Sequence, residues 1–462
     1  MTHPIRTRRR AAATLSVLAL FAATSCNREQ LLGVDTPDQI RPADAAGIDG
    51  ATALRAAAIR DFAQFYSGNT AAGVNLYVGL FGDEMHNARA GAEHLDQRQF
   101  NESVFPATAW NKFSDTYTQS IRAIRALNAY VPATSATRSR DIGQLYALQS
   151  IALNIAAELF CNGVPLSSVN DEAPEASTIV TTPGLLQRAI AQADSALATL
   201  GNGPADQTFR YVARVGKARA QVNLGQFDAA AATVGAAGDG ATSVAVPTTW
   251  QYQVEHSATS LQNAIFDWMV NTANFGPSDK EGINGIDFRS ARDPRVVVGT
   301  TTRIGADGAT PVFTVQGYST GGAPMTLVSG VTARMIEAEA ALRRGDATVW
   351  LAKLNEPRGD ATVRTLRSIP ATVGVLPPLA DPGNAADRIT LLFRERAFWF
   401  YLNATRVGDL RRLQRQYNRS PDVVWPTGAY FKGGSYGSDV TITPSFAERN
   451  NPAYRGCIDR NP

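Results

Sequence analysis

The sequence predicts a mainly helical, all-α fold in which helical hairpins form a scaffold around one large irregular insertion. Three observations predict it. Apolar residues recur at spacings of three and four through most of the chain, the repeat of a helix with one buried face. Two Ala-rich helical pairs are each punctuated by a single glycine, Gly225 and Gly345. Between them, residues 235–326 lose the helical period and fill with Gly, Thr and aromatic side chains. At 462 residues, 44% apolar and only 18% charged, the chain can bury a large core as one big domain or as two or three smaller ones.

In chain order, the first element is a leader. Arg6, Arg8, Arg9 and Arg10 form a basic start, and residues 11–23 form an apolar run. That run is shorter than the roughly 20 residues a membrane-spanning helix needs. Residues 1–25 therefore read as a secretory signal. The stretch Ala23-Thr24-Ser25-Cys26 resembles a bacterial lipobox, with Ala23 where leucine is usual. On that reading Cys26 is acylated and anchors the protein to a membrane, since two or more chains on one residue hold stably where one does not. Asn27, rather than aspartate, follows the cysteine, which favours sorting to the outer membrane. The plainer alternative is a secreted protein with a chance cysteine at the cleavage site. Of 44 basic residues, the four leader arginines depart with the signal, leaving 40 against 41 acidic ones. A near-neutral chain with no basic face excludes a nucleic-acid binder.

Residues 26–42 read as an extended tether, rich in Asp, Pro and Gly. A helical scaffold follows over 43–234. Ala53, Ala57, Phe62 and Phe65 mark its first helix, and Phe113, Tyr117, Ile121, Ile124 and Leu127 a helix within 101–130. Leu145, Leu148, Ile151, Ile155 and Leu159 mark a third, stopped by Asn162-Gly163 and Pro165. Ala189, Ala193, Leu197 and Leu200 mark a fourth, opened by Pro183 in its first turn. Residues 212–224, Gly225 and a helix resuming at Phe227 make a hairpin. Residues 331–342, Gly345 and 348–354 make another, within a second scaffold segment, 327–417. Small residues on both arms permit close packing of the tetratricopeptide type. The insertion 235–326 carries short β-like runs at 295–298 and 312–315, and the tail 418–462 is loop-rich. Cys161 and Cys457 are candidates for a disulfide in an exported chain. Two small buried thiols are the alternative.

Several segments together resemble the SusD/RagB family of outer-membrane nutrient-binding lipoproteins. They are the anchor with Leu31-Leu32-Gly33-Val34-Asp35-Thr36-Pro37, Glu158-Leu159-Phe160-Cys161-Asn162-Gly163-Val164-Pro165-Leu166, and Asp293-Pro294-Arg295. Next come Ile336-Glu337-Ala338-Glu339-Ala340-Ala341-Leu342, then Arg394-Glu395-Arg396-Ala397-Phe398-Trp399 running through Arg406 to Asp409-Leu410-Arg411-Arg412. Each is weak alone; their shared order along nearly the whole chain carries the resemblance. Where the family has a Glu-Gly pair before the arginine matching Arg406, this chain reads Leu402-Asn403-Ala404-Thr405. The resemblance implies that residues 26–462 form one SusD-like unit, anchored in the cell outer membrane and facing outward. It also implies a SusC-like TonB-dependent barrel as partner, with an oligosaccharide, or else a peptide, as ligand.

Pockets for such ligands mix aromatic rings with a few placed polar groups. Two stretches offer that mixture: Phe81, Asp83 and Asn87, and the insertion's Trp250, Tyr252, Trp268, Asn271 and Phe275. The family often binds ligand through loops from these two regions; the plain alternative is that Trp268 and Phe275 are core. His86 and His94 lie eight apart, wider than the one-turn pairs of zinc sites, so neither a metal nor a cofactor is expected. Asp83 with Glu84, or Glu281 with Asp287, are the only acid pairs considered for glycoside hydrolysis, and nothing in their spacing selects them. The chain shows no nucleophile elbow, phosphate loop or Cys-His signature, so it is not expected to be an enzyme. The competing readings are a secreted glycan hydrolase and a tetratricopeptide-type scaffold for other proteins. Within 394–412, Glu395 and Asp409 suggest internal ion pairing rather than a basic contact surface.

Overall fold

A computed structural model describes residues 46–69, 71–102, 108–167, 177–236, 238 and 244–462. The leader, Cys26, the tether and the Leu31–Pro37 motif lie outside the described residues. Residues 46–462 make one compact unit.

The scaffold begins with α1 (Ile48–Ser67), whose buried Ala51, Leu54, Ala58, Phe62 and Phe65 fall on one helical face. It packs on α3 (Thr108–Tyr130), while the short α2 (Val74–Gly82) is buried along its whole length. At the centre lies α4 (Arg138–Leu159), buried on nearly every side from Ile142 onward. Around α4 stand α1, α3, α5 (Thr182–Thr199) and α6 (Pro204–Asn223). Thr181 caps α5, its hydroxyl accepting from the Gly184 amide at 3.2 Å, and Pro183 sits in the first turn.

The two glycine-centred hairpins form as the sequence predicts. The first joins α6 to α7 (Phe227–Val234), the second α8 (Gly330–Arg343) to α9 (Ala347–Asn355), and α7 packs on α8. Gly225 and Gly345 both take left-handed backbone, with φ of 77° and 79°, which a side chain would strain. Beyond them, α10 (Ala385–Trp399) packs on α8 and helps enclose a second apolar core around Trp350, Leu354, Leu392 and Trp399. The last long helix, α11 (Arg406–Tyr417), crosses α2 and α4.

Among the described residues strands are few and short, in four antiparallel pairs: β1 (Met85–Asn87) with β5 (Phe275–Pro277), β2 (Val164–Leu166) with β3 (Thr178–Val180), β4 (Gln251–Val254) with β8 (Met325–Ser329), and β6 (Val298–Gly299) with β7 (Thr314–Val315). Strand β7 falls within the β-like run 312–315, and β6 begins at the last residue of the run 295–298 and extends one residue past it. The tail returns to the end of α4, where Cys161 and Cys457 are bonded with Cα atoms 5.9 Å apart. The Cys161 amide also donates to the Ile442 carbonyl.

Buried ion pairs lock these layers together. Asp409 takes Arg396 at 2.7 Å and Arg412 at 2.9 Å, and Arg412 also reaches Glu339. Glu395, by contrast, is held by arginines outside its own segment, Arg295 and Arg358, and Arg295 also grips Asp293. Glu158 receives Arg219, whose guanidinium donates as well to the Ala404 carbonyl. The basic run on α10 and α11 is thus an internal network.

Candidate functional site

The β1–β5 pair brings the two candidate stretches together. Asn87 stands opposite Phe275 and His86 opposite Gly276, joining segments almost 190 residues apart. Pairing buries part of each. Phe81, on α2, meets the edge of Trp425, with ring centres 5.9 Å apart, and is fully enclosed. Asp83 is 1% exposed, and both its oxygens are held by Arg406. Asn87 is buried too: its backbone N–H donates to Asp96 and its side-chain oxygen accepts from the Arg89 backbone N–H. Phe275 is 4% exposed.

What stays accessible is the rim. A three-residue helical turn at 264–266 runs on into a π-helical turn, Asp267–Asn271, closed by the Thr272 amide donating to the Asp267 carbonyl at 3.0 Å. Such turns carry one residue more than the α-helix and recur at functional positions. Here the turn carries a half-buried Trp268 and an exposed Asn271. Trp268 tilts against Phe275 at 5.5 Å, and the Arg89 guanidinium lies over its ring at 5.4 Å. Its indole N–H is buried and, among the described residues, has no hydrogen-bond partner. Arg303 braces the turn from below by donating to the Val270 and Asn271 carbonyls.

The tail contributes a wall that the sequence did not signal. Phe431 is 51% exposed, edge-on to His86 at 5.9 Å and tilted against Tyr430 at 4.6 Å. Lys432 donates to the Arg89 carbonyl at 3.0 Å and pairs with Asp307 at 2.6 Å. Burial alone would raise the Asp307 carboxyl, but hydrogen bonds from Lys432 and Thr310 hold it well below the usual carboxylate range. The only hint in the sequence is Gly433-Gly434, whose positive φ angles turn the chain just after Phe431-Lys432.

Trp250 and Tyr252 lie on and beside β4 and face another element. Trp250 meets the edge of Tyr211 at 5.2 Å and Tyr252 that of Phe209 at 6.0 Å, both rings from α6. Neither contacts the Trp268 turn.

The groups weighed for metal or acid chemistry are mostly occupied. His86 is buried on β1, its Nδ1 donating to the Pro277 carbonyl at 3.0 Å, and burial pulls the imidazole down to about 4. Among the described residues, no group of three or more His, Cys, Asp or Glu side chains is placed to share a metal ion. Glu84 accepts from the Leu402 amide at 3.0 Å, and Asp287 pairs with Arg394 at 2.8 Å. Asp83 has no free oxygen facing a ligand. The rim instead offers aromatic surface, the Arg89 guanidinium and the exposed Asn271 amide, the mixture of rings and placed polar groups found in ligand sites.

No protein-family model and no curated protein sequence matches the chain. Solved structures do, along nearly its whole length. A SusD superfamily protein from Bacteroides thetaiotaomicron VPI-5482 is similar with a TM-score of 0.63 at 11% identity, over 90% of this chain and 100% of that one. A SusD superfamily protein from Bacteroides vulgatus ATCC 8482 gives 0.61 at 13%, over 89% and 98%. A laminarin-binding SusD-like protein gives 0.62 at 12%, over 89% and 99%. The chain has the SusD fold.

Proposed function

We propose that this SusD-fold chain is a surface lipoprotein that captures a glycan and passes it to a SusC-like TonB-dependent barrel in the outer membrane. The observation that carries the reading is the pair of aromatic surfaces about the β1–β5 ribbon: Trp268, with the Arg89 guanidinium over its ring, packs on Phe275 beside the exposed Asn271, and the half-exposed Phe431 packs on His86. A sugar's apolar face stacks on an aromatic ring while its hydroxyls meet amides and a guanidinium. The laminarin-binding relative of the same fold supports a glycan over a peptide. Acylation of Cys26 would keep the binding unit at the barrel mouth, raising its effective concentration there. Among the described residues no helix is long and apolar enough to cross a membrane.

Capture on this reading breaks no bond. Asp83, with both oxygens held by Arg406, and Asp287, paired with Arg394, are engaged within the protein, which supports binding over hydrolysis; Glu281 is buried with both oxygens unpartnered among the described residues. Calorimetry of residues 27–462 against neutral oligosaccharides, uronides and peptides tests it. A glycan should bind and be recovered intact. Binding of peptides alone, or release of shortened sugars, would overturn the reading. Palmitate labelling of the full chain, lost in Cys26→Ala, and co-purification with a large barrel test the anchor and the partner.

A further inference from the structure

A second cavity, unrelated to the Trp268 rim, lies between β4, the β6–β7 region and the segment that follows α9. It measures about 110 Å³, room for a few waters or one small polyatomic ion. Its lining contains two guanidinium groups, Arg295 and Arg367, and no carboxylate. Arg295 is neutralised by Asp293 at 2.6 Å and Glu395 at 2.7 Å. Arg367 is not: among the described residues no acid pairs with it.

Fully buried arginines in this protein spend their donors on the protein, whereas Arg367 is part-exposed where it meets the cavity. Arg411 donates to the carbonyls of Ala157, Glu158 and Asn461, and Arg406 to both oxygens of Asp83. A guanidinium has five N–H donors. Arg367 uses one, toward the Trp399 carbonyl. The others have no protein acceptor. Burial lowers its proton affinity from the ordinary value, with no carboxylate acting to restore it.

The rest of the lining is also rich in donors. Among the described residues the side-chain amides of Gln253 and Gln316 have no hydrogen-bond partner, and the Asn403 oxygen accepts from the Thr405 hydroxyl at 2.9 Å, leaving its NH₂ as the free end. Tyr318 adds a phenol and Ser368 a hydroxyl. Gln316 and Ser368 are exposed, so the cavity communicates with solvent.

We propose that this cavity is an oxyanion site in which Arg367 grips a carboxylate or sulfate group, with Gln253, Gln316 and Asn403 donating to its remaining oxygens. A planar fork of N–H donors matches two oxygens of such a group, and the bond is charge-assisted. The group arrives either as a free anion or as the acidic substituent of a sugar. The site does not depend on the glycan reading, because it shares no residue with the Trp268 rim.

Calorimetry at constant ionic strength in chloride tests it, titrating acetate, sulfate, D-glucuronate and glucose. The acids should bind and glucose should not. Arg367→Gln should weaken the acids at least about tenfold while leaving neutral-glycan binding at the rim unchanged. Arg367→Lys keeps the charge and can still reach the Trp399 carbonyl, so it should fold and bind more weakly than wild type. Glucuronate tighter than acetate identifies a sugar acid as the source; equal affinities identify a free anion. No heat from any acid, or equal affinities in wild type and both variants, would overturn the site.

Discussion

Both carboxylate oxygens of Asp83 are held by one guanidinium, that of Arg406, at 2.7 and 2.9 Å. Asp83 ends α2 with a φ of 134°, and Arg406 opens α11, so this pair fixes the turn that delivers β1 to its partner strand. It is a structural contact at a position whose residue type suggests a ligand contact. Asp83→Asn should cost about 3–5 kcal/mol of stability, because it leaves a buried guanidinium without its charge partner. Urea unfolding measures the loss. A selective fall in glycan affinity with unchanged stability would contradict this assignment.

The rim predicts a ranking of aromatic substitutions. Trp268→Ala and Phe431→Ala should each weaken glycan binding by about tenfold or more, whereas Trp250→Ala should change affinity little and stability more, since Trp250 packs on Tyr211. Isothermal titration alongside thermal melts separates the two effects.

Glu84 gives a pH dependence of known sign. Burial pushes its carboxyl up from 4.5 to about 8, against the opposing Leu402 amide. A group raised in the folded state favours folding when protonated. Its contribution is complete below about 4.5 and fades as pH rises through about 8. Glu84→Gln mimics the protonated acid at every pH. Its stability relative to wild type should therefore grow between pH 5 and 9, measured by denaturant midpoints across that range; a constant difference would refute the assignment.

The hairpin glycine Gly345 has open space where a Cβ would stand, so its only constraint is a φ of 79°. Gly345→Ala should cost about 1 kcal/mol through backbone strain alone. A thermal melt checks it.

The Cys161–Cys457 bond closes 296 residues of chain and ties the tail to α4. Cys457→Ser should lose about 2–5 kcal/mol. Reductant should lower the wild-type midpoint toward that of the variant and leave the variant unmoved.

Much of the scaffold was legible because a helix that buries one face writes its period into the chain. The faces of α1 and α3, the Pro183 start of α5 and the glycines of both hairpins are of this kind. At Leu402-Asn403-Ala404-Thr405, the departure from the family pattern, Leu402 and Ala404 take φ of 57° and 60° without a glycine. The Leu402 amide and the Ala404 carbonyl are held by Glu84 and Arg219, partners far away in sequence. No local rule reveals that compensation.

By itself, the sequence determined the helical class, the two glycine-centred hairpins and the pairing of Asp409 within the basic run, all of which follow from spacing along one element. Only the tertiary structure decided which candidate side chains face outward. Phe81, Asp83, Asn87 and Phe275 went inside, Trp268 and Asn271 stayed at the surface, and Phe431 joined them from the tail. The physical reason is that exposure in irregular chain is set by what packs against it, and here partners such as Trp425 for Phe81, Arg406 for Asp83 and β5 for β1 lie far away in sequence.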